Sequence, residues 1–326
     1  MKLADKVLKG DVAAAARLIR CLEDEVPGTA KELESVYLHT GRAHIVGVTG
    51  APGAGKSTLL GCLIGFFRKK GMKVGVVAVD PSSPFSGGAI LGDRVRMQSY
   101  GVDKDVFIRS LATRGWKGGL AKATVSTIHV MDAMGKDVIL VEAVGSGQGE
   151  VDIARVADTV ILILTPGTGD EIQMMKAGIL EAADIFVINK ADIEGADRLK
   201  ATLEGTLGMR SRSARGWKPG VVLTEAVHDK GIDEAADEIL RHRAFLSSSD
   251  ELVERRKQRA RLELIWSIES FLNNYIERMS QGTLEKLVSE LVQRKTNPQS
   301  AALKIISEIS SGGKNGLFTD RRTEDA

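Results

Sequence analysis

Cysteine and an excess of either charge are scarce in this chain. Among 326 residues only Cys21 and Cys62 are cysteines, and no C-x-x-C pair occurs. That excludes a disulfide framework and predicts a reducing, cytoplasmic setting. His39, His44, His129, His228 and His242 are scattered, none at ligand spacing with a cysteine or another histidine. They are expected on the surface or satisfied in the core. Lys and Arg number 45 against 43 Asp and Glu, a net charge of +2. Such balance gives no basis for a nucleic-acid or membrane partner. Arg255-Arg256-Lys257 and Arg321-Arg322 are short basic clusters with acids nearby, expected as solvated faces. No apolar run reaches transmembrane length, and no signal pattern, internal repeat or low-complexity stretch occurs. Hydrophobic content of 43% supports a sizeable core, and the length suggests one large domain or two.

What the chain has is a complete G-x-x-x-x-G-K-S loop, Gly50-Ala51-Pro52-Gly53-Ala54-Gly55-Lys56-Ser57. The apolar run Ile45-Val46-Gly47-Val48 enters it, and Ser57-Thr58-Leu59-Leu60 begins a helical pattern. Strand, loop and helix in that order surround a polyphosphate with backbone N–H groups and a helix N-terminus. Gly53, Ala54, Gly55 and Thr58 belong to that cradle. Lys56 is predicted to reach the β/γ-phosphates, and the Ser57 hydroxyl to sit on Mg²⁺.

A second motif selects the base. Asn189-Lys190-Ala191-Asp192 follows the apolar run Ile185-Phe186-Val187-Ile188, 133 residues after Lys56. Guanine presents N1–H and N2–H₂ donors, and the Asp192 carboxylate can accept both. Adenine has an acceptor at N1 and no amine at C2. A charged hydrogen bond left unmade costs about 1.5–3 kcal/mol, which discriminates GTP from ATP.

Acids complete the metal side. Val138-Ile139-Leu140-Val141-Glu142 is an apolar strand ending in a carboxylate, and Gly145 follows in Glu-x-x-Gly spacing. Glu142 can hold Mg²⁺ through water, and the Gly145 N–H can approach a γ-phosphate. Val74 to Val79 leads into Asp80, and Asp93 follows in Gly92-Asp93-Arg94. Each of these two acids also reads as a helix cap or a solvated loop charge.

Along the chain, residues 1–40 read as helical, with Val12, Ala15, Leu18, Ile19 and Leu22 on one face. Residues 41–245 alternate strands (45–49, 73–79, 106–109, 138–142, 159–164, 184–188 and 220–223) with helices. This predicts an α/β domain with a mainly parallel sheet, flanked by helices and binding its ligand at the strands' carboxyl ends. Residues 246–326 lose the strand signal. Ser247-Ser248-Ser249-Asp250 caps a long helix to about Met279, two shorter helices follow near 283–294 and 298–310, and a frayed tail begins at Ser311.

Taken together, several segments resemble the MeaB/ArgK family of GTPases, whose best-known members are chaperones of methylmalonyl-CoA mutase. They are Gly50 to Thr58, Asp80-Pro81-Ser82-Ser83-Pro84, Gly92-Asp93-Arg94-Val95-Arg96-Met97, Ala112-Thr113-Arg114-Gly115 with Gly118-Gly119, Glu142 to Gln148, Pro166-Gly167-Thr168-Gly169-Asp170-Glu171, and Asn189 to Asp192. The resemblance implies a P-loop GTPase with Asp80, Asp93 and Glu142 around Mg²⁺, and switch segments near 80–97 and 142–154. A third loop, 167–178, would carry Lys176, a candidate cation for the developing charge that also reads as a solvated helix lysine. It further implies a homodimer through a helical arm near 246–310. The implied partner is an adenosylcobalamin-dependent acyl-CoA mutase, with GTP gating cofactor delivery. Two departures stand out. Gly149 takes the place of a family Ser. Leu223-Thr224-Glu225-Ala226 replaces a usual Ser-Ala pair beside the base, where a backbone N–H near Ala226 would meet guanine O6. No Gln follows Gly145 directly, and Gln148 is the nearest. Two other function classes share the phosphate loop: a nickel or zinc insertion GTPase, for which Cys/His motifs are lacking, and a small-molecule kinase or transport-linked nucleotidase.

Overall fold

The computed structural model describes residues 2–80, 100–112, 119–142, 155–167, 179–209, 216–279 and 281–312. The chain divides into two compact units, Met1–Ser267 and Ile268–Ala326.

The first unit is built on seven parallel strands: β1 (His44–Gly50), β2 (Val74–Asp80), β3 (Val106–Ala112), β4 (Val138–Glu142), β5 (Thr159–Leu164), β6 (Ile185–Asn189) and β7 (Gly220–Thr224). Their order is β3-β2-β4-β1-β5-β6-β7. All seven match the expected runs within a few residues. β1 lies between β4 and β5, where strand order reverses, and such a switch point opens a crevice at the carboxyl ends.

Alternation along the strands sorts side chains into two covered faces. Val46, Val48, Leu140, Ile161, Ile163, Ile185 and Val187 meet Leu59, Leu60, Leu63 and Ile64 of α4 (Lys56–Lys69), together with Ala235, Ala236 and Ile239 of a later helix, Ile232–Ser248. On the other face Ile45, Val77, Ile139, Val141 and Val160 meet α1 (Leu3–Val7), α2 (Val12–Glu23), α3 (Thr29–Tyr37) and α5 (Gly119–Ala133). Leu162, Phe186 and Ile188 pack with Leu180 of α6 (Ile179–Ala182) and Leu199 and Leu203 of α7 (Ala196–Met209). Each fully buried aliphatic side chain contributes about 1.5–3 kcal/mol. The N-terminal helices are thus part of the nucleotide unit's core. Ala15, Leu18 and Ile19 face inward as expected, but Val12 is exposed, because it opens its helix just after the Asp11 cap. Asp132 of α5 accepts from Gly41 N (2.6 Å), Arg42 N (3.2 Å) and Ala43 N (3.0 Å), fixing the entry to β1.

The C-terminal helices are α8 (Ile232–Ser248), α9 (Glu251–Arg278), α10 (Gln281–Val292) and α11 (Pro298–Gly312). The long helix expected after Ser247–Asp250 is α9, from Glu251 to Arg278, and its residues 251–267 belong to the first unit. In the basic cluster at 255–257, Arg256 and Lys257 are exposed as expected, and Arg255 alone turns inward. Arg255 is mostly buried and clasps Asp184 with two hydrogen bonds of 2.7 and 2.8 Å. Arg259, one turn on, pairs with Asp158. Helical spacing aims both guanidinium groups at the amino ends of β5 and β6, where each carboxylate also caps a strand: Asp158 accepts from Ile45 N and Asp184 from Val160 N. In the second unit, Asn297 caps α11 through Ser300 N, and Lys304 pairs with Glu290. Val292 and Leu303 are exposed there.

Two buried imidazoles lie beside these pairs. Thr159 Oγ1 is 2.8 Å from His44 Nε2 and 2.8 Å from His242 Nδ1. Burial lowers both from 6.5 to about 4, opposed by Asp158 for His44 and by Asp184 for His242, with Arg243 and Arg255 also near. A folded-state value below the unfolded one means the native state holds the neutral rings. Their stabilising contribution is present above about 6.5 and lost as pH falls toward about 4. Urea unfolding is therefore expected to show stability falling between about pH 6.5 and pH 4. Each ring accounts for roughly 1.4 kcal/mol per pH unit crossed, and His242→Gln should flatten the profile. An identical pH profile in that variant would remove His242 from the account.

Candidate functional site

The site forms where β1, β4, β6 and β7 end. After β1 the backbone turns through left-handed glycines. Gly50 has φ +147°, and a Cβ there would lie 2.4 Å from the Ile163 carbonyl oxygen. Gly55 has φ +95°, and its Cβ would lie 2.2 Å from Asn189 Nδ2. No side chain fits at either position, so the fixed glycines of the motif follow from contact as well as from dihedral angle.

Lys56 opens α4 and is buried, its Nζ donating to the carbonyls of Gly50 (2.9 Å) and Ala51 (3.1 Å). The cation is thereby held at the loop's mouth. Ser57 Oγ donates to Glu142 Oε1 at 2.8 Å, and both side chains are buried. The register explains the meeting, since Glu142 pairs with Val48 on one side and Ala78 on the other. Asp80 ends β2 two residues beyond that pair. Asp93, Gly145, Gln148, Gly149 and Lys176 lie outside the described residues.

On the base side, Asn189 ends β6 with both its amide nitrogen and its amide oxygen engaged. Nδ2 donates to the Ala54 carbonyl of the phosphate loop (2.8 Å), while Oδ1 accepts from Thr224 Oγ1 (3.1 Å) and Ala226 N (3.1 Å). Lys190 follows in a left-handed conformation, φ 58°. Lys190 and Asp192 are both exposed, and the Asp192 carboxylate has no partner among the described residues. It is open to a ligand carrying two adjacent N–H donors.

The loop after β7 is tied down by contacts of its own. The Glu225 carboxylate accepts from Lys230 Nζ (3.0 and 3.1 Å) and His228 Nδ1 (3.2 Å), so it closes its own loop. Lys230 and then His228 hold its carboxyl below the usual carboxylate range, against the opposing effect of burial. Of the backbone N–H groups at this loop, that of Ala226 itself donates to Asn189. Thr224 belongs to no motif in the sequence; its only signal is its place at the strand end before Glu225-Ala226.

With this geometry in hand, comparison with known proteins gives a consistent answer. The profile of the family described as "Methylmalonyl Co-A mutase-associated GTPase MeaB" matches residues 15–281. The chain belongs to the MeaB family. A protein of Pyrococcus abyssi that carries the name GTPase is 49% identical over 315 residues, covering 96% of this chain and 97% of the relative. GTPase ArgK of Escherichia coli is 34% identical, covering 78% and 79%. A solved structure named as an LAO/AO transport system kinase shares the fold with a TM-score of 0.68 and 26% identity, covering 94% of this chain and 96% of that one. MeaB membership agrees with the observed P-loop, parallel sheet and helical C-terminal segment. Among the described residues no helix is long and apolar enough to cross a membrane.

Gly55→Ala should displace the Asn189 amide and strain a left-handed position, at about 1–3 kcal/mol. Titration with a fluorescent guanine nucleotide is expected to show roughly tenfold weaker binding. Wild-type affinity in this variant would show that the Gly55–Asn189 approach is dispensable.

Proposed function

We propose that the protein binds GTP and GDP and hydrolyses GTP with Mg²⁺ as cofactor. The Asn189 amide carries this reading, because it joins the phosphate loop to the base-side loop next to the open Asp192 carboxylate. Ser57 and Glu142 offer adjacent hard oxygen donors, a set that fits Mg²⁺, and Asp80 and Asp93 are the further acids of the same site. When bound, the ion would neutralise charge on the transferring phosphoryl group. Lys56 and the backbone N–H groups of Gly53 to Thr58 hold the β/γ oxygens. Asp192 accepts from the base's N1–H and N2–H₂, and Asn189 fixes the distance between base and phosphate subsites. Gly145 brings an N–H to the γ-phosphate. With positioning and charge supplying most of the catalysis, Gln148 and Lys176 are the two candidates for completing the hydrolytic site.

The partner in this proposal is an adenosylcobalamin-dependent acyl-CoA mutase of methylmalonyl-CoA or isobutyryl-CoA type, in the cytoplasm. The family's description, which names methylmalonyl-CoA mutase, supports it. GTP turnover would gate cofactor loading and protect the mutase. Residues 246–310 would form a homodimerisation arm; exposed Ile268 and Phe271 on α9 favour an apolar contact there. The metal-insertion alternative needs clustered ligands, and among the described residues no group of three or more His, Cys, Asp or Glu comes together to hold a metal ion. The kinase alternative draws on the name of the solved relative.

Nucleotide competition tests the base assignment. GTP should displace a bound guanine nucleotide far better than ATP, and Asp192→Asn should shift preference toward xanthine nucleotides, since an amide supplies a donor where the carboxylate only accepts. Equal competition by ATP and GTP would overturn the reading.

Single-turnover GTP hydrolysis with and without the mutase tests the partner. Faster hydrolysis is expected in its presence, with Lys176→Ala reducing the acceleration. An unchanged wild-type rate removes the activation, and full acceleration in the variant removes only Lys176.

A further inference from the structure

Ala226 is held from both sides. Its N–H donates to Asn189 Oδ1, and its carbonyl accepts from Cys62 Sγ at 3.2 Å. Those two groups belong to the two peptide planes flanking Ala226, so together they fix both of its backbone dihedrals. Cys62 lies on α4, six residues after Lys56, and is half buried. Leu59 and Leu63 of the same helix pack in one core cluster with Ala226 itself. The turn that follows, Ala226–His228, is a single 3₁₀ turn closed by Glu225 N to Lys230 O and His228 N to Glu225 O.

We propose that Cys62 is a positioning residue for guanine recognition. Its thiol aligns the loop 225–230 against the helix that carries the phosphate-binding residues. The inference rests on the guanine-nucleotide reading above and extends it to a residue outside the phosphate and base motifs. An isolated loop of this length keeps considerable conformational freedom, and ordering its backbone costs entropy. Asn189 restrains the loop from β6, and Cys62 restrains it from α4. The base subsite is therefore ordered by the same helix that begins with Lys56 and Ser57. Burial, with Asp229 adding, raises the thiol from 9.0 to about 12, so it stays an S–H donor at neutral pH. The trans peptide also turns the Val227 N–H away from α4, opposite to the carbonyl that Cys62 holds. Val227 itself is 80% exposed. Loss of the thiol would free that peptide to rotate.

The test compares GDP with ADP binding to the full-length protein for wild type, Cys62→Ala, Cys62→Ser and Cys62→Val, each checked by thermal unfolding. Cys62→Ala is a mild change within a helix. It should weaken GDP by about three- to tenfold while moving ADP by less than about twofold, so that discrimination narrows. Serine keeps a donor and should retain most of the wild-type ratio. Valine, the second donor-less side chain, should behave as alanine does, and decides the matter if the alanine variant does not fold. A wild-type GDP/ADP ratio in Cys62→Ala overturns the inference. Equal weakening of both nucleotides also overturns it, since that marks a purely structural role. A wild-type protein without GDP preference overturns the guanine reading itself, and this inference falls with it.

Discussion

The side-chain amide of Asn189 is the contact on which the nucleotide site depends. It ends a buried strand, so its backbone is fixed by the sheet. Its Nδ2 is given to the phosphate loop and its Oδ1 to the loop after β7. Three segments far apart in sequence thus share one rigid group. An amide suits this place because it both donates and accepts. Aspartate would meet the Ala54 carbonyl oxygen with a second acceptor and no proton. The same amide explains why position 55 has no side chain, since Nδ2 occupies the space that a Cβ would need.

A second set of buried polar contacts organises the opposite edge of the sheet. Asp158 and Asp184 precede β5 and β6, cap neighbouring strands, and are neutralised by Arg259 and Arg255 from α9. A buried carboxylate without a partner is costly, and loss of one member of such a pair destabilises by about 3–5 kcal/mol. These pairs make the first half of α9 part of the nucleotide unit.

The sheet was legible because its strands are continuous apolar runs, and parallel strands covered on both faces leave that pattern. The phosphate loop was legible because the spacing and residue types of such a loop are fixed by ligand chemistry. The inward turn of Arg255 was not legible. A basic cluster among acids looks the same whether its partners are neighbours in sequence or carboxylates 71 positions away. The capture of the Ala226 N–H by Asn189 was hidden for a similar reason. Backbone partners leave no residue type behind, and Thr224 and Cys62 are ordinary residues for a strand end and a helix. Glu225 reads as a ligand contact from its place beside the base; its local pairing with Lys230 and His228 depends on the left-handed turn at Asp229, φ 56°.

The two polar sets are joined by β6. Asp184, clasped by Arg255, immediately precedes the strand, and Asn189 ends it. Its five residues are all buried, between β5 and β7. β6 thus spaces the two polar sets. It holds the base-reading motif at a constant height above the α9 attachment, roughly 3.3 Å of rise per residue.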